Sequence, residues 1–308
     1  MSITSAPDGV PAIATRGLGK RYGRDGAPAL SDLDLTVETG EIFGFLGPNG
    51  AGKSTTIRLL LGFLHATTGT ASVLGHDIGR DSVAIRRRVG YLPGGIAFWD
   101  ELNGERLLDE LAALSGRPPV LRSMLLDRLE LSAATLRRPV RAYSRGMRQK
   151  LGIIQALQHD PELAILDEPS EGLDPLMQRA FYGILDERKA AGRTIFFSSH
   201  VLSEVERVCD RVAIVRHGRL VALEDVATLL TRRKRQVELR VRGLVPDLTH
   251  VAGVSDVIID GGRLTCRLDG EVGPFLAALA AIDVADLTIE PASLEDAFLE
   301  FYEEVEGP

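Results

Sequence analysis

The chain has 308 residues, of which 44% are hydrophobic and 26% are charged, and its formal net charge is −7. This length predicts two domains with room for a proper core, and the composition excludes wholesale disorder. The negative charge gives no general attraction for nucleic acid, so we expect no nucleic-acid partner, although a local basic patch is compatible with it.

Cysteine usage and hydropathy indicate where the protein works. Cys209 and Cys266 match no metal-binding spacing, and we expect them to be reduced, buried small side chains. No apolar run approaches the roughly 18 residues that a membrane helix needs, and the first residues lack the order of a secretion signal. We therefore expect a cytosolic chain that would reach any membrane it serves through a partner.

A polar, proline-containing tail at residues 1–11 precedes the first predicted strands. Residues 13–18 and 30–37 alternate roughly between polar and apolar, which predicts an antiparallel edge with one exposed face and a turn at residues 23–28. Tyr22 ends the first run. It is either an aromatic platform for a nucleotide base or a surface turn residue, and the sequence leaves both interpretations open.

The strongest motif is GPNGAGKST at residues 47–55, which fits the phosphate-loop pattern. A short β-prone run at 41–46 precedes it and a helical apolar period at 55–61 follows it. The loop therefore joins a strand to the start of a helix, whose free N–H groups and positive dipole end would face a bound anion. The pattern predicts that Lys53 reaches the terminal phosphates and that the Ser54 hydroxyl serves Mg²⁺.

Strands and helices alternate after the loop, with one interruption. We interpret the helical periodicity of about residues 100–158 as a helical insertion, in which Leu107, Leu108, Leu111 and Leu114 share an apolar face. The alternation predicts a mostly parallel sheet with helices on both faces and ligands at the carboxyl ends of its strands. The predicted strands are 70–74, 89–92, 163–166, 194–197 and 212–215, and the predicted helices outside the insertion are 82–88, 176–190 and 202–208.

Beyond residue 224 the sequence changes character. After a basic run at 232–235, the order strand, helix, strand, strand, helix, strand predicts a small ferredoxin-like α+β domain at 224–308, closed by a helix at 294–304. We interpret the basic run as a solvated junction, with contact to lipid headgroups or a partner as the alternative. This domain shows no catalytic constellation, so a role in dimer contact or regulation is inferred from its position alone.

Polar side chains also follow two of the predicted buried strands. Asp167 and Glu168 end one strand and His200 ends another, at the sheet edge where the phosphate loop is expected. Asp167 is predicted to hold Mg²⁺ and Glu168 to orient and deprotonate an attacking water. His200 would hydrogen-bond a γ-phosphate or that water, and a helix-capping role is the alternative.

Residues 143–150, YSRGMRQK, by themselves predict only a capped turn that opens a basic helix. In this order, however, the motifs resemble those of the ATP-binding cassette (ABC) family. The phosphate loop resembles its Walker A motif, LAILDE its Walker B, YSRGMRQK its LSGGQ signature, GLDP its D-loop and His200 its switch histidine. The resemblance covers about residues 12–223, and the closing PASLEDAFLEFYEE resembles the ATPase subunits of bacterial ABC-2 type exporters.

The resemblance implies a fold and a function. The fold would be α/β, a P-loop NTPase core with an antiparallel β edge and a helical subdomain. The function would be hydrolysis of ATP, with Mg²⁺, to power export through a separate transmembrane permease. Two copies of the chain would close head to tail over two Mg-ATP and reopen on hydrolysis.

The resemblance also assigns roles to single residues. Glu168 would be the catalytic base, His200 the γ-phosphate sensor, and Ser54 with Asp167 the metal ligands, while Tyr22 would stack on adenine. Ser144 and Gly146 would close over ATP bound by the second copy, with Asp174 in contact across that interface. The implied nucleotide-binding residues are Tyr22, Gly47, Pro48, Asn49, Gly50, Ala51, Gly52, Lys53, Ser54, Thr55, Ser144 and Gly146.

The chain departs from the family pattern in two places. Arg145 and Met147 alter the signature but leave the Ser144 hydroxyl and the Gly146 amide in place. More seriously, Gly94 in VGYLPGG stands where the family usually has a glutamine that touches metal or water. We expect the link between hydrolysis and transport to run there through backbone, water or neighbours such as Glu101.

Two other functions are alternatives to that of an exporter subunit. A soluble cassette ATPase that acts on ribosomes or nucleic acid usually has two cassettes or a long coiled coil, and the stretch between Lys53 and Asp167 leaves no room for such an arm. A nucleotide-binding regulator with little turnover is motivated by Gly94, but Glu168 and His200 argue against it.

Overall fold

The computed structural model describes residues 9–23, 26–231, 235–243, 245, 247–280 and 282–290. It divides into two compact units, one up to Glu224 and one from Asp225. The predicted closing helix, most of the predicted tail and most of the basic run lie outside the described residues. In the part of the chain that is described, no helix is both long and apolar enough to cross a membrane.

The first unit contains two sheets and a set of helices. Its elements in chain order are β1 (Ile13–Arg21), β2 (Pro28–Val37), β3 (Ile42–Leu46), α1 (Lys53–Leu60), β4 (Thr68–Val73), β5 (His76–Asp77), α2 (Ser82–Arg88), β6 (Val89–Leu92), α3 (Gly104–Ser115), α4 (Arg122–Arg128), α5 (Ala133–Leu136), a 3₁₀ turn (Val140–Ala142), α6 (Arg145–Leu157), β7 (Leu163–Asp167), α7 (Pro175–Ala190), β8 (Thr194–Ser199), α8 (Leu202–Val208), β9 (Arg211–Arg216) and β10 (Arg219–Asp225).

The central sheet has six strands in the order β10-β9-β3-β8-β7-β6. The pairs β3–β8, β3–β9, β7–β8 and β6–β7 are parallel, which confirms the predicted parallel core. Every residue of β3, β7 and β8 is buried, as expected for strands with helices on both faces. Because Leu46 pairs with Ser199 and Asp167 pairs with Ser198, the ends of these three strands lie side by side.

The second sheet, in the order β2-β1-β4-β5, is the predicted antiparallel edge. Strand β1 pairs antiparallel with both β2 and β4. The inward side chains of both sheets enter one core, whose members include Leu33, Val37, Phe45, Ile57 and Phe196. This shared core fixes α1, and with it the phosphate loop, against the central sheet.

The predicted helical insertion is formed by α3 to α6. Side-chain caps begin three of its helices: the Asn103 side chain accepts from the Arg106 N–H at 2.8 Å, and Ser132 and Ser144 cap α5 and α6. Leu107 and Leu108 are fully buried as predicted. Leu114 lies in the same helix, as its apolar period predicts, but its side chain is 73% exposed in the last turn of α3.

The second unit begins with α9 (Val226–Thr231), followed by β11 (Arg235–Val241), β12 (Val254–Asp260), β13 (Arg263–Leu268), α10 (Val272–Leu279) and β14 (Val284–Glu290). Its antiparallel sheet has the order β12-β13-β11-β14, around a core that includes Leu239, Leu264 and Phe275. The helix predicted between β11 and β12 is not found in the described residues, where turns make the crossover.

The two cysteines are free and buried, as predicted. Burial raises the pKa of both thiols, and for Cys209 the negative charges of Asp210 and Glu204 raise it further. A raised pKa keeps a thiol protonated and unreactive.

Candidate nucleotide site

The phosphate loop connects the end of β3 to the start of α1, and two of its glycines are required by their surroundings. A β-carbon at Gly47 would lie 2.4 Å from the carbonyl oxygen of Val215. Gly52 has a φ of +106°, and a β-carbon there would lie 2.8 Å from the Ala29 carbonyl oxygen. Side chains at these positions would therefore push the loop away from the strands that support it.

Helix α1 begins at Lys53, directly after the loop. Its capping residue is Gly52, which has no side chain to accept hydrogen bonds from the first-turn N–H groups. These groups and the positive end of the helix dipole therefore face the loop, which is the arrangement that binds phosphate at helix N-termini.

The Lys53 ammonium is buried inside the loop. It is 6% exposed, donates to the Gly47 carbonyl at 2.6 Å and lies 3.2 Å from Glu168 Oε1. A buried ammonium of this kind needs a negative partner. The contact brings the end of β7 and the phosphate loop to one point.

Asp167 is held by two hydroxyl groups. Ser54 Oγ donates to Asp167 Oδ2 at 3.0 Å, and Ser198 Oγ donates to Oδ1 at 2.5 Å. Hydroxyl and carboxylate oxygens are the hard donors that Mg²⁺ prefers, so Ser54 and Asp167 fit this ion by donor type. The described residues contain no cluster of three or more acidic, histidine or cysteine ligands.

Glu168 is in contact with His200, at a separation of 2.7 Å between Oε2 and Nδ1. Its other carboxylate oxygen faces Lys53, so both oxygens are engaged. The backbone at Glu168 has a φ of +52°, an uncommon value for a residue with a side chain. Its N–H donates to the Ser198 carbonyl at 3.2 Å, and this bond helps to hold the turn that aims the side chain.

These groups border a cleft of about 390 Å³. It is lined by Ala29, Pro48, Asn49, Gly50, Gly52, Lys53, Ser54, Thr55, Arg58, Tyr91, Pro93, Gly94, Gly95, Asp167 and Glu168. Gly47, Ala51 and His200 are not among these lining residues. The Gly47 carbonyl accepts from Lys53, the Ala51 carbonyl accepts from the Gly218 N–H, and His200 contacts Glu168. Tyr22 is 47% exposed beside the loop, with its hydroxyl 3.4 Å from Thr55 Oγ1.

The signature residues do not line the cleft of their own chain. Ser144 caps α6 by accepting from the Met147 N–H at 3.2 Å, as its sequence context predicts. A β-carbon at Gly146 would lie 2.9 Å from the Gly172 carbonyl oxygen, and Arg145 forms an ion pair with Glu171. The signature helix is thus packed against the segment that follows Glu168.

Gly94 lies in the wall of the cleft next to Asp167. Glu101, the neighbour named as one possible link, is not among the lining residues. It is highly exposed and paired with Arg141 at 2.7 Å. Arg58 and Tyr91 also line the cleft. Burial raises the pKa of the Tyr91 hydroxyl, and the charge of Asp167 raises it further.

Two residues that support the site match none of the sequence motifs. Ser198 holds Asp167, and Gln149 donates from Nε2 to the Pro169 carbonyl at 2.7 Å, directly after Glu168. Both are buried polar side chains. A polar residue within an apolar strand, as in FFSSH, is the signal that would have identified Ser198.

The chain was compared with known proteins. The ABC transporter family model matches residues 30–171. Over 310 residues the chain is 36% identical to the fluoroquinolones export ATP-binding protein of Mycobacterium tuberculosis, and the alignment covers 97% of this chain and 96% of that protein. Over 207 residues it is 44% identical to an uncharacterized ABC transporter ATP-binding protein of Nostoc sp., covering 66% of this chain but only 61% of that relative's length.

A solved structure described as the ATP binding subunit of an ABC transporter has a TM-score of 0.66 and 31% identity, and the match covers 72% of this chain and 92% of that one. This likeness confirms the predicted ABC ATPase fold. Together with the alignment over nearly the whole length of the mycobacterial protein, it shows that the chain belongs to the ABC transporter family as one of its ATP-binding proteins.

Proposed function

We propose that this chain is the subunit that binds and hydrolyses ATP to power an ABC exporter. The observation that carries the proposal is the meeting of Lys53, Asp167 and Glu168 in one cleft at the start of α1. Transfer of a phosphoryl group to water needs positioned phosphates, a metal and a group that orients and deprotonates the water. The cleft has a candidate for each.

The phosphates of ATP would lie at the N-terminus of α1, with Lys53 on the terminal phosphates. The base would lie towards Tyr22, whose exposed ring stands beside Thr55 and has the Lys20 ammonium 5.5 Å from its centre. An exposed aromatic ring at the edge of a phosphate site offers a base a stacking surface. We therefore assign Tyr22 to adenine.

Ser54 and Asp167 would hold Mg²⁺, which supplies positive charge to the phosphate oxygens when bound. Ser198 keeps the Asp167 carboxylate in one orientation through its hydrogen bond to Oδ1. Glu168 accepts a proton from the attacking water while the bond between the γ-phosphorus and its bridging oxygen breaks, giving ADP and phosphate. His200 Nδ1 contacts Glu168 Oε2 and so orients this carboxylate. The same imidazole would face the γ-phosphate.

A second copy of the chain would complete the site. Ser144 and Gly146 lie outside the cleft of their own chain, and Asp174 caps the neighbouring helix α7. A head-to-tail dimer would place the signature helix of one copy over the ATP of the other. Closure of the dimer on ATP and its opening after hydrolysis would then drive the motion of the permease.

Export is supported by relatives, since the mycobacterial protein is named for the export of fluoroquinolones. The partner in the proposal is a separate permease of the ABC-2 type, indicated by the sequence of residues 291–304. The cargo would be chosen by that permease.

A groove of about 280 Å³ on the first unit is the surface that we assign to the permease. Phe63 and Leu114, which are 51% and 73% exposed, give it apolar walls from the core and from the helical insertion. Tyr91 lines both this groove and the nucleotide cleft. Tyr91 would therefore touch an apolar segment of the permease bound in this groove and also border the nucleotide cleft.

Steady-state ATP hydrolysis by the full chain, alone and with its permease, tests the proposal. Glu168→Gln should retain ATP binding but lose about 10²-fold or more in kcat, because general base catalysis is removed. The control is Glu187→Gln, which should match the parent. Glu187 lies in α7 and forms a surface ion pair with Arg128. Equal turnover of Glu168→Gln and parent would refute the assignment of the base, and a parent that ignores ATP with and without the permease would refute the function.

A further inference from the structure

The carboxylate of Glu204, in α8, joins the two loops that carry Glu168 and His200. Ser199 Oγ donates to Glu204 Oε2 at 2.7 Å, and Ser170 Oγ donates to Oε1. Both serines are buried. Hydrogen bonds to a charged acceptor are stronger than bonds between neutral groups, and they are stronger still away from water.

Tyr182, in α7, belongs to the same cluster. Burial raises the pKa of its hydroxyl, and the charge of Glu204 and a hydrogen bond with Glu204 raise it further, while a hydrogen bond with Ser170 lowers it. The side chain is 7% exposed. Helices α7 and α8 are thus tied to the segments that follow β7 and β8.

The positions of the two serines give these bonds a consequence for the site. Ser170 lies two residues after Glu168, and Ser199 immediately precedes His200. The two segments meet again at Glu168 Oε2 and His200 Nδ1, 2.7 Å apart. The contacts therefore form a closed ring that passes through both reactive side chains and has Glu204 at its far side.

We propose that Glu204 is a positioning residue for ATP hydrolysis, whose carboxylate holds Ser170 and Ser199 and so sets the spacing of Glu168 and His200. This inference rests on the roles given to Glu168 and His200 in the proposed function. Glu204 itself acts through the two serines and takes no part in proton transfer. Small displacements of reactive groups lower reaction rates strongly. A slight shift of Glu168 and His200 would therefore be enough to slow ATP hydrolysis.

The test uses the isosteric change Glu204→Gln in the full chain. The amide retains one acceptor oxygen, but its NH₂ group cannot accept from the second serine, and the charge is lost. We expect kcat for ATP to fall about tenfold while KM and the equilibrium affinity for ATP stay within about twofold, because the phosphate loop is untouched.

A matched control separates positioning from folding. Glu41→Gln removes a buried carboxylate that accepts from the Glu38 N–H at 2.7 Å and pairs with Arg211, just before β3 and so at the end of that strand away from the cleft. It should lower Tm at least as much as Glu204→Gln and leave kcat unchanged.

A pair of serine variants provides a second readout. Ser170→Ala should lose kcat in the same way as Glu204→Gln, whereas Ser170→Thr keeps the hydroxyl and should recover most of it. This pair keeps the inference testable even if Glu204→Gln does not fold.

The inference is overturned if both Glu204→Gln and Ser170→Ala keep kcat within twofold of the parent, or if both lose ATP affinity in parallel with kcat. Measuring Glu168→Gln in the same series distinguishes the two levels of failure. If that variant is inactive while the Glu204 and Ser170 variants are fully active, only the positioning role is wrong. If Glu168→Gln remains active, the proposed function of the site is wrong.

Discussion

Gly94 lies so close to Asp167 that a β-carbon at this position would be 3.2 Å from Asp167 Oδ2 and 3.3 Å from its Cγ. The same oxygen, Oδ2, accepts the hydrogen bond from Ser54. Glycine therefore leaves free the side of the carboxylate that the proposed Mg²⁺ site uses. The neighbouring Gly95 also lines the cleft, but a β-carbon there would meet nothing within 4 Å.

The two glycines provide a matched pair. Gly94→Ala should raise the Mg²⁺ concentration needed for half-maximal ATP hydrolysis several-fold, because the methyl group displaces or shields Oδ2. Gly95→Ala should behave as the parent. The measurement is a Mg²⁺ titration of ATPase rate at saturating ATP. Equal Mg²⁺ dependence of the two variants would contradict the assignment of Oδ2 to the metal.

The two hydroxyls on Asp167 should differ in what they support. Ser198 is fully buried, so Ser198→Ala leaves Oδ1 without its partner and should lower the free energy of unfolding by about 1–3 kcal/mol. Ser54→Ala should have the smaller effect on stability and the larger one on Mg²⁺ affinity. Thermal unfolding and Mg²⁺ titration of both variants check this, and the reverse order of effects would contradict it.

The sequence predicted the elements that build the cleft because their signals are local. The phosphate loop, the strand that ends at Asp167 and the strand that precedes His200 are read from adjacent residues. Their meeting follows from the parallel sheet, in which carboxyl ends share an edge. Lys53, Asp167, Glu168 and His200 do lie together at this edge, and the roles assigned to them stay predictions.

What the sequence could not show depends on pairs that are distant along the chain. Glu101 was named as one neighbour that could link hydrolysis to transport, but it does not line the cleft and is paired with Arg141 at the surface. The supporting contacts of Ser198 and Glu204 require knowledge of which hydroxyl meets which carboxylate. Leu114 fits a helical apolar period, yet its side chain is 73% exposed in the last turn of α3.

His159, at the base of the groove, should make stability dependent on pH. Its Nε2 is buried and has no hydrogen-bond partner among the described residues. Burial, followed by the charge of Arg117, lowers its pKa to about 4, although Asp160 opposes this. The unfolded chain binds a proton at the ordinary pKa of about 6.5. Stability should therefore be complete above pH 6.5 and fall by about 3 kcal/mol as the pH approaches 4.

Comparison with a variant isolates this contribution from that of other groups. In His159→Gln, the free energy of unfolding should decline less steeply than in the parent between pH 6.5 and 4, and the two curves should differ by a constant above pH 7. His65→Gln, at an exposed histidine, should follow the parent throughout. Parallel curves for His159→Gln and the parent would show that the buried imidazole does not titrate as stated.

Complementation between two inactive variants tests the head-to-tail dimer. Lys53→Ala removes the phosphate contact, and Ser144→Arg blocks the signature. Each homodimer should be inactive. In a mixed dimer with sites made in trans, one site carries both defects and the other carries none, because an intact Lys53 then faces an intact Ser144.

Random pairing would therefore restore up to about one quarter of the parent activity, since about half of the dimers are mixed and each has one intact site. The mixture is assayed for ATP hydrolysis at a protein concentration that favours dimers. The control is a chain that carries both substitutions, mixed with the parent at the same ratio. Each mixed dimer then has one defect at each site, so only the parent homodimers, about one quarter of all dimers, should be active. If sites were completed within one chain, the two single variants would stay inactive together, and the control mixture would rise to about one half of the parent activity, because every mixed dimer would keep one intact site.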